Sequence, residues 1–187
     1  MEKEFWKPGN MLYPIPAVMV SCKDQNQSNI ITVAWAGTIC SSPAMVSVSI
    51  RKERYSYDMI KNSGEFVINL VTKELVKQAD YCGVKSGRDV DKFIETKLTP
   101  LKGNRVGAPI IGESPVSLEC IVKDIIPLGT HDMFLGEVVS VAVDKKYMDT
   151  TGKFHLNKSG LIVYSHGEYY GLGELLGKFG YSVKKKK

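Results

Sequence analysis

The chain has 187 residues, 43% hydrophobic and 24% charged, which is the make-up of one ordinary globular core and excludes a disordered or fibrous protein. Its formal charge of +5 belongs mostly to one end, because the last four residues, Lys184–Lys187, are all lysine and the excess without them is +1. A body this close to neutral argues against nucleic-acid binding, and the lysine run reads as a solvated tail or a weak contact with an anionic surface.

In chain order, the opening MEKEFWKPGN has no apolar segment of the kind a signal peptide carries. Ala17–Cys22 is an apolar, β-branched run and reads as a strand. Asp24–Asn29 is a polar turn, and Ile30–Ala36 is a second strand. Gly37 to Pro43 reads as a turn region, followed by a strand at Met45–Ile50 in which Val46, Val48 and Ile50 alternate with Ser47 and Ser49. Ser56 is placed to cap a helix from Tyr57, with Met59 and Ile60 inward and Asn62-Ser63-Gly64 stopping it. Phe66–Leu70 reads as a short buried strand, and Thr72 as the cap of a helix over Lys73–Tyr81 that ends at Gly83.

Gly83–Gly107 is a long polar and basic excursion with a short helical piece near Asp91–Ile94. Strands return at Val116–Ile126, Met133–Val143 and Leu161–Tyr164, with Glu168–Gly171 after a His-Gly turn. Leu172, Leu175, Leu176 and Phe179 are spaced for one helical face, which predicts a terminal helix over the body or a flap. No βαβ alternation is present, so the fold class expected is mainly β, an antiparallel barrel with a few peripheral helices. One domain over residues 1–183 and the tail 184–187 account for the chain.

No stretch approaches the ~18 apolar residues of a membrane span. The four cysteines, Cys22, Cys40, Cys82 and Cys120, form no CxxC and have no zinc spacing, so no metal site is expected and reduced thiols in a cytoplasmic setting are the simplest reading.

The densest chemistry lies in TVAWAGTICSSPAMVSVSIRKERYSY. Thr32, Val33, Ala34 and Trp35 offer backbone amides beside small side chains, so a flat ring could approach closely. Cys40, Ser41 and Ser42 offer small polar groups, and Arg51 and Arg54 offer cationic forks just before Tyr55 and Ser56 at a helix start. A flavin mononucleotide (FMN) has a ring and a phosphate that would use such a set. An ordinary turn, a solvated strand edge and a core tryptophan account for the same residues equally well from composition alone. Asp58, in the first helical turn, would oppose an anion unless it faces solvent.

The succession Tyr13-Pro14 with AVMVS, then the stretch above, then GEFVINL, SGRDVDKF and GTHDMFLGEVV resembles the flavin reductase-like family over roughly residues 8–183. The closing YYGLGELLGKFGYS is similar to the flavoredoxin-type branch in particular. The resemblance implies an FMN-binding split barrel and a homodimer with one non-covalent FMN per barrel near the interface. It also implies reduction by NAD(P)H or electron transfer to a partner protein.

Carried over residue by residue, Thr32, Val33, Ala34 and Trp35 would line the ring edge, and Cys40, Ser41 and Ser42 the ribityl and phosphate side. Arg51, Tyr55 and Ser56 would hold the phosphate. Lys92, in Asp91-Lys92-Phe93, would lie near the interface, and Lys178 near the cofactor's negative charge if the terminal segment is a flap. His131 matches the family's Gly-x-His position near the exposed ring face, as a contact to flavin or nicotinamide or as a turn-closing residue, while His155 and His166 read as surface residues. Cys40 reads as a small residue near the ring or as a redox thiol.

The expected activity is therefore an FMN-dependent NAD(P)H oxidoreductase. The alternatives are an electron carrier on the same fold, or an OB-like nucleic-acid-binding barrel, which the dispersed cations disfavour.

Overall fold

The computed structural model of the chain describes residues 1–25 and 27–183, so the lysine tail lies outside the described residues. Among the described residues, twelve strands and three α-helices follow in chain order. They are β1 (Ile15–Pro16), β2 (Val18–Lys23), β3 (Ser28–Val33), β4 (Ala36–Ser41), β5 (Ala44–Arg51), α1 (Tyr55–Ser63), β6 (Glu65–Leu70) and α2 (Val76–Val84). Then come α3 (Lys92–Thr96), β7 (Pro100–Leu101), β8 (Ile110–Ile111), β9 (Val116–Pro127), β10 (His131–Val143), β11 (Ile162–Ser165) and β12 (Glu168–Gly171).

Seven strands pair antiparallel in the order β3-β2-β6-β9-β10-β5-β4. Consecutive strands β3 and β4 thus stand at opposite edges of the sheet. A flat sheet of this width would separate those edges by about 29 Å at normal strand spacing. The chain joins them through Ala34 and Trp35 alone, which reach about 11 Å at most. The sheet must therefore curl until its edges meet, and Ala34–Trp35 is the seam of the resulting barrel. A backbone bond from the Ser49 amide to the Trp35 carbonyl, 2.8 Å long, fastens the seam to β5. This is the expected antiparallel split barrel.

The barrel interior is filled by alternate residues of each strand: Val18, Val20 and Cys22 from β2, Val46, Val48 and Ile50 from β5, with Phe66 and Phe134 at the centre. Tyr57, Met59 and Ile60 of α1 close one end. A second apolar layer, including Met19, Ile30, Ala79, Cys82 and Phe93, lies between the outer faces of β2 and β3 and helices α2 and α3. That double burial explains why Ala17–Cys22 reads as a continuous apolar run and not as an alternation. Gly136 belongs to the packing too, since a Cβ there would stand 2.5 Å from Phe66 Cζ.

Several expectations need correction. The Gly37–Pro43 stretch is a strand and a hairpin turn: β4 and β5 form a two-residue hairpin over Ser42-Pro43. The outward side chains of β4 give no apolar signal because they face solvent. Helix α1 starts two residues earlier than the Ser56 cap requires, with Arg54 as N-cap and no side-chain cap bond. Ser56 is buried inside the helix, where it accepts a bond from Asn29 Nδ2 at 2.8 Å. The helix does stop at Gly64, whose φ of 70° is the left-handed turn a glycine permits.

The predicted terminal helix is absent among the described residues. Leu172 to Phe179 run without regular structure, and Leu175, Leu176 and Phe179 are 79%, 85% and 108% exposed. Gly171, Gly173, Gly177 and Gly180 each penalise a helix by about 1 kcal/mol, enough to outweigh an apolar stripe with nothing to pack on. No described helix is long and apolar enough to cross a membrane.

Candidate functional site

The barrel seam forms one wall of a cleft of about 640 Å³, within the range of small-molecule sites. Ile31 to Trp35, the end of β3 and the seam, line one side, and Ser49, Ile50 and Arg51 of β5 line another. Gly83 of α2 and the Thr130-His131 corner complete it. Thr32 does not turn its hydroxyl to the cleft, because Oγ1 donates to the Ala79 carbonyl at 2.5 Å. What β3 presents there is backbone, which is the requirement for a ring edge read by amides.

His131 pairs with Arg51 across the β10–β5 ladder, which places both at the cleft mouth. Its ring lies nearly parallel to that of Trp35, at 16° with centroids 6.5 Å apart, and Nδ1 is 2.9 Å from Thr130 Oγ1. Immediately behind, Tyr57 donates to the buried Asp132 at 2.6 Å, and Lys52 faces the same carboxylate at 3.4 Å. The Tyr57 bond holds the Asp132 carboxyl below its usual value, and the same bond raises the Tyr57 phenol to about 12. The corner that carries His131 is thus pinned from inside the barrel.

At one end the cleft continues, through Ile31, Glu53 and Arg54, into a smaller recess of about 170 Å³. Four cationic residues line it, Arg54, Lys85, Arg88 and Lys92, against one carboxylate, Glu53. Tyr55 and Ser56 add the uncapped first turn of α1, whose amides and dipole favour an anion. Arg88 lies over the Tyr55 ring at 5.2 Å and donates to the Glu53 carbonyl at 3.0 Å. Gly87 brings backbone against the recess wall: a Cβ there would stand 2.3 Å from Asn29 Oδ1 and 2.8 Å from the Tyr55 ring.

Lys92 is 3% exposed, with Nζ donating to the carbonyls of Ile30 at 2.6 Å and Cys82 at 2.8 Å. An ammonium has three donors, so one N–H remains for a ligand in the recess. Burial pushes its pKa down to about 8. A buried cation with an unspent donor, beside a helix N-terminus, is stabilised by a bound phosphate.

The sequence-selected residues therefore divide. Thr32, Val33, Ala34, Trp35, Arg51 and His131 line the large cleft, and Tyr55, Ser56 and Lys92 line the recess. Arg51 stands in the wide part, 3.3 Å from Glu53, rather than in the recess assigned to a phosphate. Cys40, Ser41 and Ser42 are not brought to either space. They sit at the tip of the β4–β5 hairpin, where Ser41 pairs with Ala44. Seven residues of β5 separate that tip from Arg51, about 23 Å at strand rise. Lys178 lies in the exposed terminal stretch and lines neither space. Asp91 caps α3 by accepting from the Ile94 amide at 3.2 Å, and Asp58 is exposed as required. His155 pairs with Asp149 at 2.7 Å on the surface.

Nothing in the sequence pattern marks Asn29, Lys85, Gly87 or Arg88, whereas Arg54 is one of its two cationic forks. Ser86-Gly87-Arg88 lay in a basic excursion whose placement only the tertiary fold supplies.

A flat-ring cleft on exposed backbone, continuous with a phosphate-sized cationic recess, at the seam of a split barrel defines a flavin-binding protein. Comparison with known proteins agrees: the family model described as flavin reductase like domain matches residues 11–173, and the chain belongs to that family. The flavoredoxin of Desulfovibrio vulgaris (Miyazaki F) superposes with a TM-score of 0.90 at 35% identity, covering 98% of this chain and 100% of that one. A protein of Aeropyrum pernix is 34% identical over 132 residues, 70% of this chain, a match that spans half of its own length. The ferric-chelate reductase (NAD(P)H) of Archaeoglobus fulgidus is 27% identical over 65% of this chain and 72% of its own.

Proposed function

We propose that the chain is an FMN-binding oxidoreductase in which NAD(P)H reduces the bound flavin and the electrons pass on to an acceptor. The recess carries this reading: its volume of about 170 Å³ and its four cationic residues suit a single phosphate group, which supports FMN. Lys92, Arg54 and Arg88 would hold the phosphate with the first amides of α1, and Ser56, fixed by Asn29, would take a terminal oxygen. The seam amides of Val33 to Trp35 would set the ring edge, and Trp35 and His131 would bound its exposed face.

The flavin supplies the redox chemistry, accepting a hydride and releasing electrons. The protein's own task is to position the ring, to exclude water along the seam and to admit a nicotinamide at the mouth, where Arg51 offers a charge to its phosphates. His131 acts by contact and needs no proton transfer.

The likeness to flavoredoxin favours a second reading, an electron carrier that does not oxidise NAD(P)H efficiently. Purified protein reconstituted with FMN decides between them. Oxidised-flavin absorption bands that bleach with NADH or NADPH at catalytic rates support the reductase. Bands that bleach only with dithionite support the carrier, and no band at all removes both. The exposed apolar ends, Trp6 near the N-terminus and Leu175 to Phe179 near the C-terminus, support a homodimer in which a second copy covers them, to be tested by sedimentation.

A further inference from the structure

Trp35 is 37% exposed and lines two spaces. One is the cleft. The other is an adjoining cavity of about 540 Å³ on the outer surface of the barrel, which shares Asn10, Ala34, Trp35 and Ser49 with the cleft. Its floor is the outward face of the β4–β5 hairpin, where Gly37 pairs with Ser47. Its outer wall is the N-terminal segment from Gly9 to Ile15, which β1 anchors by pairing Ile15 with Tyr164 and which Tyr13 steadies by packing 4.8 Å from the His166 ring.

The two spaces differ in chemistry. The cleft is lined by Arg51, Glu53 and Arg54, whereas no charged side chain lines the cavity. Met11, Leu12, Ile15 and Ala36 make it apolar, and the side chains of Asn10, Tyr13, Trp35, Ser47 and Ser49 bring hydrogen-bonding groups to its lining. A charged nucleotide would lose its solvation there without compensation, so the cavity rejects the ligand that the cleft suits. A flat, uncharged molecule gains a tryptophan face, apolar walls and donors for a carbonyl oxygen.

We propose that this cavity is a second binding site, for an uncharged planar compound of the quinone class. It would be the electron acceptor, a role that rests on the flavin reading. The quinone takes two electrons and two protons to become the hydroquinone, and a two-electron-reduced flavin held in the cleft would supply both.

Gly37 makes the binding testable without touching the cleft. A Cβ there meets nothing within 4 Å, its φ is not left-handed, and it does not line the cleft. Gly37→Val therefore fills the cavity while suiting a strand. The probe is duroquinone, whose four methyl groups block addition of thiols such as Cys40. Calorimetric titration of oxidised protein, flavin-loaded and flavin-free, should give saturable binding of one duroquinone per chain. Gly37→Val should weaken it at least about tenfold with FMN affinity unchanged. Ser47→Leu, at the paired position, should do the same.

Absence of saturable binding, or equal affinity in both variants, overturns the proposal. So does conversion of an oligomer to monomer by Gly37→Val, since a second copy would then occupy the cavity. If the protein takes no FMN but binds duroquinone in a Gly37-sensitive way, the flavin reading fails and the site stands.

Discussion

The ammonium of Lys92 bridges the carbonyls of Ile30 and Cys82, so one buried charge ties β3 to α2 at the back of the cationic recess. Its third N–H is left for the phosphate proposed to occupy the recess. Lys92→Met should weaken FMN binding by about 30-fold at pH 7, the worth of one charged hydrogen bond.

The pH dependence follows from the same residue. Burial holds the free protein's Lys92 near 8, and a bound phosphate raises it. Below that value the cation is present and binding is at full strength. As pH rises above it the proton must be taken up on binding, and affinity falls. The ratio of Lys92→Met to wild-type dissociation constants should shrink toward one between pH 8 and 10, followed by flavin fluorescence quenching. A ratio independent of pH would remove Lys92 from the phosphate site.

Gly87→Ala should abolish detectable FMN binding with only a few degrees' change in melting temperature. The new methyl meets Asn29 Oδ1 at 2.3 Å and displaces the side chain that holds Ser56. Both groups that the methyl meets, Asn29 and the Tyr55 ring, line the recess, so the damage should centre there. Flavin titration beside a thermal melt separates the two effects.

The hairpin tip and the recess make opposite predictions. Cys40→Ser, Ser41→Ala and Ser42→Ala should each leave the FMN dissociation constant within about twofold, given their distance along β5. Arg88→Ala should raise it by about tenfold or more, and Arg51→Ala should act more on nicotinamide use than on FMN. A large effect at Ser41 in a dimer would mean that the partner's hairpin reaches the site.

Glu119 controls a different region. It is fully buried, and it accepts the amides of Asn104, Arg105 and Val106 at 3.0, 2.6 and 3.0 Å, fixing the loop before β8. Burial pulls its pKa up, but these bonds outweigh it and hold the carboxyl below the usual value. A depressed carboxyl contributes stability that is complete above its unfolded pKa and is lost as pH falls through the folded one. Glu119→Gln should therefore cost about 2 kcal/mol at pH 7 and progressively less below pH ~4 by chemical denaturation.

The barrel was legible in the sequence because its strands carry strong signals. The continuous run at Val18–Cys22 and the alternation at Val46–Ile50 each follow from where those side chains are buried. Strand β4 was not legible, since Gly37, Thr38, Ile39 and Ser41 are all exposed and its one large apolar residue is not turned to the core. The open backbone of the seam is legible because small side chains stand next to a tryptophan. The recess is legible only in part: Arg88 and Lys92 reach it from an excursion that folds back over β3, a long-range placement with no local signature. The Cys40-Ser41-Ser42 cluster reads as a phosphate contact from its polar groups alone, whereas within the chain it forms a hairpin tip that lines neither space.

The two-residue joint at Ala34–Trp35 has a consequence for how such a site persists over time. Its position is dictated by the connectivity of the sheet and not by which side chains stand there, so its backbone amides, proposed above to meet the ring edge, should tolerate drift in residue type. What they cannot tolerate is a change in count, because one inserted residue would loosen the closure and misplace every amide beyond it. Variation among descendants should therefore accumulate as substitutions along this joint and almost never as insertions or deletions.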